Sequence, residues 1–515
     1  MSASLPMRSS REKPAGLRLR SKGPQNTVIM SRASLYCLCG GVASGLLLFA
    51  AFMLIGSDML VAGQLCAAWT VAWMAVAVGG GFRTVTSWFA FFPLFHFLLF
   101  SLPFKVIFWE AAEERLGAPF STSLVLLLFF TGLLFATFVS QCISFRSWTV
   151  CSKSTNPEFF RILAWICFLL GTLAYFIFQF GQTSDSSAGG AGIMGFFMNF
   201  KDFSVAAYIF YAWRTGLQVW RRPAFWLFIV TGVLLGILAS AKGAVSQPIV
   251  YALLATCCIH GFRSFKMLIG IAAFGAILAT TIYPLMHYAR GVEGARTGTL
   301  AQRAAIMGTV TSTYLTNPNA RAGIKEQVDD YATDRSVMYL PKSTGLFDRF
   351  LMIGPTDLLV SGVDQSSANE KFHGFELFRS ALELSIPRFL YPQKPEVGSS
   401  EFLADIAGTR NTVQRTNPTW GIPSQLYYSF GFLGVLIGSF FIELIFLLLI
   451  KVWFGNQVGK SLWFCLLALT LNMYNSCAGI DSMPFALISL LGTALLFSKA
   501  ALFLSRRVRT SAAAS

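Results

Sequence analysis

A handful of cations and acid–base groups in one polar stretch are the residues best suited to chemistry in this sequence. Arg349, Arg388 and Lys394 lie there. A guanidinium matches phosphate oxygens in a planar fork and stays charged, so arginines recurring through one segment point to phosphate recognition. Prolines flank Arg388 and Lys394 in the run Ile386–Pro395. They would hold that run extended and its charges in fixed places, unless the run is instead an anchor near lipid headgroups. Arg349 follows Asp348, and a local ion pair is the alternative use for it. His373 and Glu376 stand three residues apart, on one face if the stretch is helical. Either would serve as a base towards a hydroxyl. Lys242 closes an apolar run, Ile237–Ala244, rich in small residues. At the membrane surface it would hold a phosphate; otherwise it snorkels to the interface or pairs with a carboxylate. His96, inside an apolar run, reads as a hydrogen-bonded core residue, and Asp481 as a helix cap.

Those residues need a frame. Hydrophobic residues make up 55% of the 515, charged residues 12%, and mean hydropathy is +0.60. A soluble chain carries about 25% charged residues, so lipid must solvate much of this one. A span needs ~20 apolar residues. Segments of that kind fall at 34–55, 59–79, 84–104, 121–143, 160–181, 203–220, 223–241, 246–262, 265–286, 426–450, 459–476 and 482–504. The expected fold is an all-α polytopic membrane protein with about twelve transmembrane helices. Residues 1–33 form a basic tail, expected to be disordered, and 506–515 a second tail.

Charge sets the orientation. Between Tyr288 and Pro423 there are 14 Lys and Arg against 14 Asp and Glu. The remaining 26 basic and 10 acidic residues of the chain's 40 and 24 surround the hydrophobic segments. A cytoplasmic excess of Lys and Arg at helix ends explains the net charge of +16 better than nucleic-acid binding does. With both termini cytoplasmic, Arg83, Arg146, Arg221, Arg222, Arg263, Lys451 and the Arg506–Arg509 tail all fall inside. Residues 287–423 then lie outside as a large extracytoplasmic loop between the ninth and tenth spans. Loops beyond ~15 residues are usually functional or disordered. This one has too many apolar and aromatic residues for disorder, and a folded cap on the outer mouth is expected.

Some chemistry is not called for. The ten cysteines include no C-x-x-C pair and fall mostly in apolar runs, which argues against a disulfide framework or a zinc site. Neither a phosphate-binding glycine loop nor a metalloprotease or serine-hydrolase motif occurs. No cofactor is expected.

The layout resembles that of the Wzy-type O-antigen polymerases, which join oligosaccharide repeat units in bacterial envelope and exopolysaccharide pathways. Three stretches carry the likeness: Ala239–Ala244, Ile386–Pro395, and Pro423–Gln425 with Tyr428–Gly434. Lys242 stands where the family commonly has Arg, and Gln425 where members often have Glu. The resemblance implies a metal-independent glycosyltransferase of the bacterial inner membrane. A hydroxyl of one polyprenyl-diphosphate-linked repeat unit attacks the anomeric carbon of the chain on another, and the lipid diphosphate leaves. Fixed cations stabilise that leaving group. Lys242, Arg290, Arg349 and Arg388 are the candidates for diphosphate and glycan contacts, with Lys394 and Gln425 beside them. His373, Glu376 or Asp348 is the candidate base. Partners would be the lipid-linked glycan, the bilayer, and the flippase and chain-length regulator of the same pathway. A ligase drawing on the same carrier fits the layout too. A transporter or flippase fits less well, since no internal repeat is seen and Arg214 and Lys242 are the charges that qualify for an intramembrane pathway.

Overall fold

Inside a bilayer every backbone amide must be satisfied within the chain, and a helix does this locally. In the computed structural model every regular element among the described residues is a helix. The structure describes residues 31–143, 156–180, 191–239, 242–260, 273, 277, 281–292, 298–323, 339–340, 351–366, 374–386, 391, 399–408, 420–456, 458–459, 461–474, 480, 491–492 and 494–505. Both expected tails thus fall almost wholly outside the described residues. This is a multi-pass helical membrane protein: six helices among the described residues are long and apolar enough to cross a bilayer, and three shorter ones are apolar.

The first group comprises α1 (Arg32–Ile55), α2 (Met59–Gly79), α3 (Val85–Phe97), α4 (Ser101–Ile107) and α5 (Pro119–Cys142). The second comprises α6 (Pro157–Phe180), α7 (Ala191–Thr215), α8 (Pro223–Leu238) and α9 (Lys242–His260). Shorter helices follow: α10 (Tyr283–Gly291), α11 (Leu300–Thr316), α12 (Ile353–Gln365), α13 (Glu376–Ser385) and α14 (Ser399–Ile406). Three apolar helices close the chain: α15 (Ile422–Phe454), α16 (Leu462–Tyr474) and α17 (Ala494–Ser505).

Small residues fix the registers. Gly41 abuts Trp73 and Gly45 abuts Thr70, so α1 and α2 run antiparallel. The Ser123 hydroxyl donates to Gln64 and the Gln141 amide to the Gly79 carbonyl, so α2 and α5 run parallel. Gly132 lies against Ser439, and Lys451 reaches the Ser140 carbonyl, so α15 joins α5 in the same direction. In the second group Phe160 meets Phe210 and Gly171 meets Lys201, so α6 and α7 are antiparallel. Tyr208 meets Phe228 and Gly232 meets Asp202, reversing the chain again into α8. Gly236 meets Val245, which reverses it into α9. Helix α16 bridges the groups: Phe464 packs on Trp88, Trp463 on Phe203, and Cys465 on Cys258.

The described helices of residues 287–423 pack at one end of this bundle, here the cap end. Helix α12 lies across the starts of α5 and α15. Helix α5 has Ala118 at its N-cap, a residue with no side-chain oxygen. Asp357 of α12 supplies the cap instead, accepting from Gly117 N at 2.7 Å, Ala118 N at 3.1 Å and Thr122 Oγ1 at 2.8 Å. Burial pushes the Asp357 carboxyl up, and these three donors pull it back. The 108–118 turn is pinned nearby. Buried Lys105 donates to Glu110 at 2.7 Å and to the Glu114 carbonyl at 2.9 Å, and sits 4.6 Å over the Tyr339 ring. The Tyr339 hydroxyl donates to Ala112 O at 2.7 Å.

Two expected spans differ in the structure. The segment 84–104 is interrupted at 98–100, between α3 and α4. Pro103, which has no N–H to donate, falls in the first turn of α4, where none is needed, while Pro93 is carried inside α3. The carbonyl of His96, which the break takes out of the ladder, accepts from Met352 N at 3.0 Å, at the mouth of α12. The segment 203–220 is corrected to α7, Ala191–Thr215. Midway along it Lys201 and Asp202 pair with each other while almost fully buried, so both charges are accommodated inside the helix. The helix stops before Gly216, whose φ is +69°. Arg214 lies in the last turn, 4.7 Å over Trp213.

Candidate functional site

The site is built on a bend. Helix α15 opens at Ile422 behind Gly421, with Pro423 in its first turn, and Ile422 through Ser429 are all buried. At Gly431 the backbone turns to φ +67°, ψ −161°, which divides α15 into 422–430 and 432–454. That conformation is essentially reserved for glycine. A bend exposes carbonyls that a lipid environment cannot satisfy. Ser429 O accepts instead from Gly374 N at 2.9 Å, contributed by the polar stretch.

Helix α13 begins two residues after Gly374 and is amphipathic. Leu377 and Ala381 are buried. Phe375, just before it, and Phe378 pack their rings 5.1 and 6.0 Å from Phe430. Glu376 opens the helix, where the dipole favours an anion, and its side chain is exposed. The Ser429 hydroxyl is buried and meets no partner among the described residues. Glu376 thus stands exposed on the element that meets the bend, while Tyr428 and Ser429 are buried in the bend's own first half.

The other polar residues of Pro423–Gly434 hold the frame. Ser424 Oγ donates to Gly421 O at 3.0 Å, and Tyr427 OH to Asp364 of α12 at 2.6 Å. Gln425, expected near substrate, is buried, and its Oε1 accepts from Ile480 N at 2.6 Å. Its amide therefore ties α15 to the chain before the last apolar segment.

A second polar cluster sits where α6 and α8 end and α9 begins. Lys201 pairs with Asp202 and lies 4.9 Å over the Tyr175 ring, whose hydroxyl donates to Leu235 O at 3.0 Å. Helices α10 and α11 pack on the α8–α9 turn through Met286, Ala289, Met307, Val310 and Val245. This brings Arg303 to the Tyr175 side, its Nε donating to Gly298 O at 2.8 Å. Sequence reasoning passed over Arg303. Its one local signal was the capping box Thr299–Gln302 immediately before it, which marks a helix start and so an orientation.

Lys242 opens α9 and Arg290 lies in the last turn of α10, so both are on the elements of this second cluster. Asp348, Arg349, His373, Arg388 and Lys394 lie outside the described residues. Of the predicted base candidates, the structure describes Glu376. Among the described residues no group of three His, Cys, Asp or Glu is arranged to hold a metal ion.

The bend makes a prediction. Gly431→Ala is expected to cost roughly 1–3 kcal/mol through strain at positive φ and to shift the 422–430 helix off Phe375. A lower melting temperature of the purified protein, with Gly308→Ala unchanged, checks it; Gly308 has open space around it.

No family model, no curated protein and no solved structure matches this chain.

Proposed function

We propose that this protein is a glycan polymerase that joins polyprenyl-diphosphate-linked oligosaccharide repeat units at the outer face of the bacterial inner membrane. One juxtaposition carries the reading: Pro423–Gly434, a stretch that supports the resemblance, bends at Gly431 directly beneath the helix that Glu376 opens. The bend and the exposed carboxylate stand together at the cap end, where a lipid-linked substrate would present its diphosphate.

The reaction needs little besides this chain. The acceptor hydroxyl attacks the anomeric carbon, a C–O bond forms there, and the bond to the diphosphate oxygen breaks. The acceptor proton goes to a base, for which Glu376 is the described candidate and His373 the neighbouring one. The leaving diphosphate carries its own charge, which Arg388, Arg349, Arg290 and Lys242 would stabilise.

The layout of about twelve spans belongs to the same reading. To the six long apolar helices it adds α7, α8, α9, α16, α17 and the segment 265–286. Cytoplasmic termini are supported by charge. Arg32, Arg83, Arg221 and Arg222 gather at the end away from the cap, whereas Lys105 at the cap end pairs with Glu110, and Lys201, midway along α7, with Asp202.

Deleting the gene and resolving the surface or secreted polysaccharide on a gel tests the reading. The expected result is a ladder collapsed to single repeat units, restored by wild type but not by an inserted, folded Arg388→Ala protein. Long chains left unattached would point to a ligase, and an unchanged ladder would remove the reading.

A further inference from the structure

We propose that α13 is an interfacial helix whose outer face lies in the glycerophospholipid surface of the bilayer, at the level of the α15 bend. Its inner face is accounted for by Leu377, Ala381 and the Phe378–Phe430 contact. Among the described residues its outer face is largely exposed, with Phe375 reaching back to Phe430. Phe375 is 74% exposed and Leu382 69% exposed. They lie seven residues apart, on one stripe of the helix, with Arg379 between them. Arg379 is itself largely exposed and pairs with Glu383 at 2.9 Å. A Phe or Leu left in water forgoes about 1.5–3 kcal/mol of burial, so two on one short stripe call for an apolar cover.

Continuity names that cover. Residues 432–454 of α15 extend ~34 Å at the helical rise, close to one hydrocarbon thickness of ~30 Å. Leu433, Ile437, Phe441 and Ile445 recur every fourth residue along this length and are all exposed, the face a spanning helix turns to lipid. Phe430 sits just past the end of that stripe and touches both Phe375 and Phe378. Helix α13 therefore meets α15 where hydrocarbon gives way to headgroups. A short helix with an apolar stripe and an arginine beside it suits that layer: the rings and aliphatic chain enter the acyl region and the guanidinium meets lipid phosphate. The inference needs only the membrane fold. Combined with the polymerase reading, it sets Glu376 at headgroup depth.

The test replaces Leu382 with the photoreactive residue p-benzoylphenylalanine in the full-length protein, irradiates native membranes and identifies adducts by mass spectrometry. Phospholipid adducts are expected, within about threefold of the yield at Leu433. Adducts to another protein or a second copy would overturn the proposal, as would isoprenoid adducts without phospholipid, which mean a substrate groove. Absence of lipid adducts overturns it as well. A nitroxide on Leu382→Cys gives a second readout: it should collide more with oxygen than with a water-soluble nickel chelate, and the reverse order would sink the idea. Neither measurement depends on glycan synthesis, so the two proposals fail separately.

Discussion

Glu376→Gln is expected to abolish long polymer while leaving the protein inserted and folded. A positioned general base contributes typically ~10²–10⁴-fold, so even the lower figure would shorten a ladder to one or two repeats. The substitution is nearly isosteric. Glu376 is exposed, and its helix is held by Leu377, Ala381 and Phe378 on the far side, so stability should change little. Losing a carboxylate at a helix start costs about 0.3–1 kcal/mol at most. Glu376→Asp should restore part of the activity, because the carboxylate returns one methylene short. Quantifying polymer length against membrane protein level checks both. A full ladder from Glu376→Gln would dismiss this carboxylate and pass the role to His373 or Asp348.

The largest structural effect is expected from Gly132→Leu. A Cβ at Gly132 would stand 2.0 Å from Ser439 Oγ, 2.7 Å from Leu436 O and 3.0 Å from Phe440 N. Two of those atoms belong to the α15 backbone and cannot swing aside. Helices α5 and α15 would have to part along the seam that also holds Lys451 on Ser140 O. In lipid no hydrophobic force pulls helices together, and close packing at small residues is what associates them. The variant should lose its monodisperse peak in detergent, with Gly132→Ala between it and wild type. Wild-type melting of Gly132→Leu would contradict this seam.

Both predictions bear on what can be read along the chain. Local chemistry determined the helices whose signals are local. Asp58 accepts from Leu60 N and Val61 N at the start of α2, Gly80 at positive φ ends it, and Met59–Gly79 coincides with the expected segment 59–79. Apolar length likewise announced α5 and α6 to within a few residues. The break before α4 has a local correlate in Pro103, to which hydropathy is blind, but Pro93 inside α3 shows that a proline alone does not force a break. Helix α7 was misplaced because its burial depends on two charges cancelling within the fold, whereas a hydropathy window adds their penalties.

The site divides the same way. Residue type singled out Glu376, and the family resemblance the Pro423–Gly434 stretch. Their meeting rests on one amide, Gly374 N on Ser429 O, between residues 55 apart in sequence. The cap on α5 comes from Asp357, 239 residues beyond Ala118. Residue types and apolar lengths fix which segments enter the bilayer, because solvation acts on each segment separately. Which backbone groups a bend or an uncapped end leaves unpaired, and what distant donor or acceptor meets them, is settled only when the helices pack, because lipid offers no substitute partner.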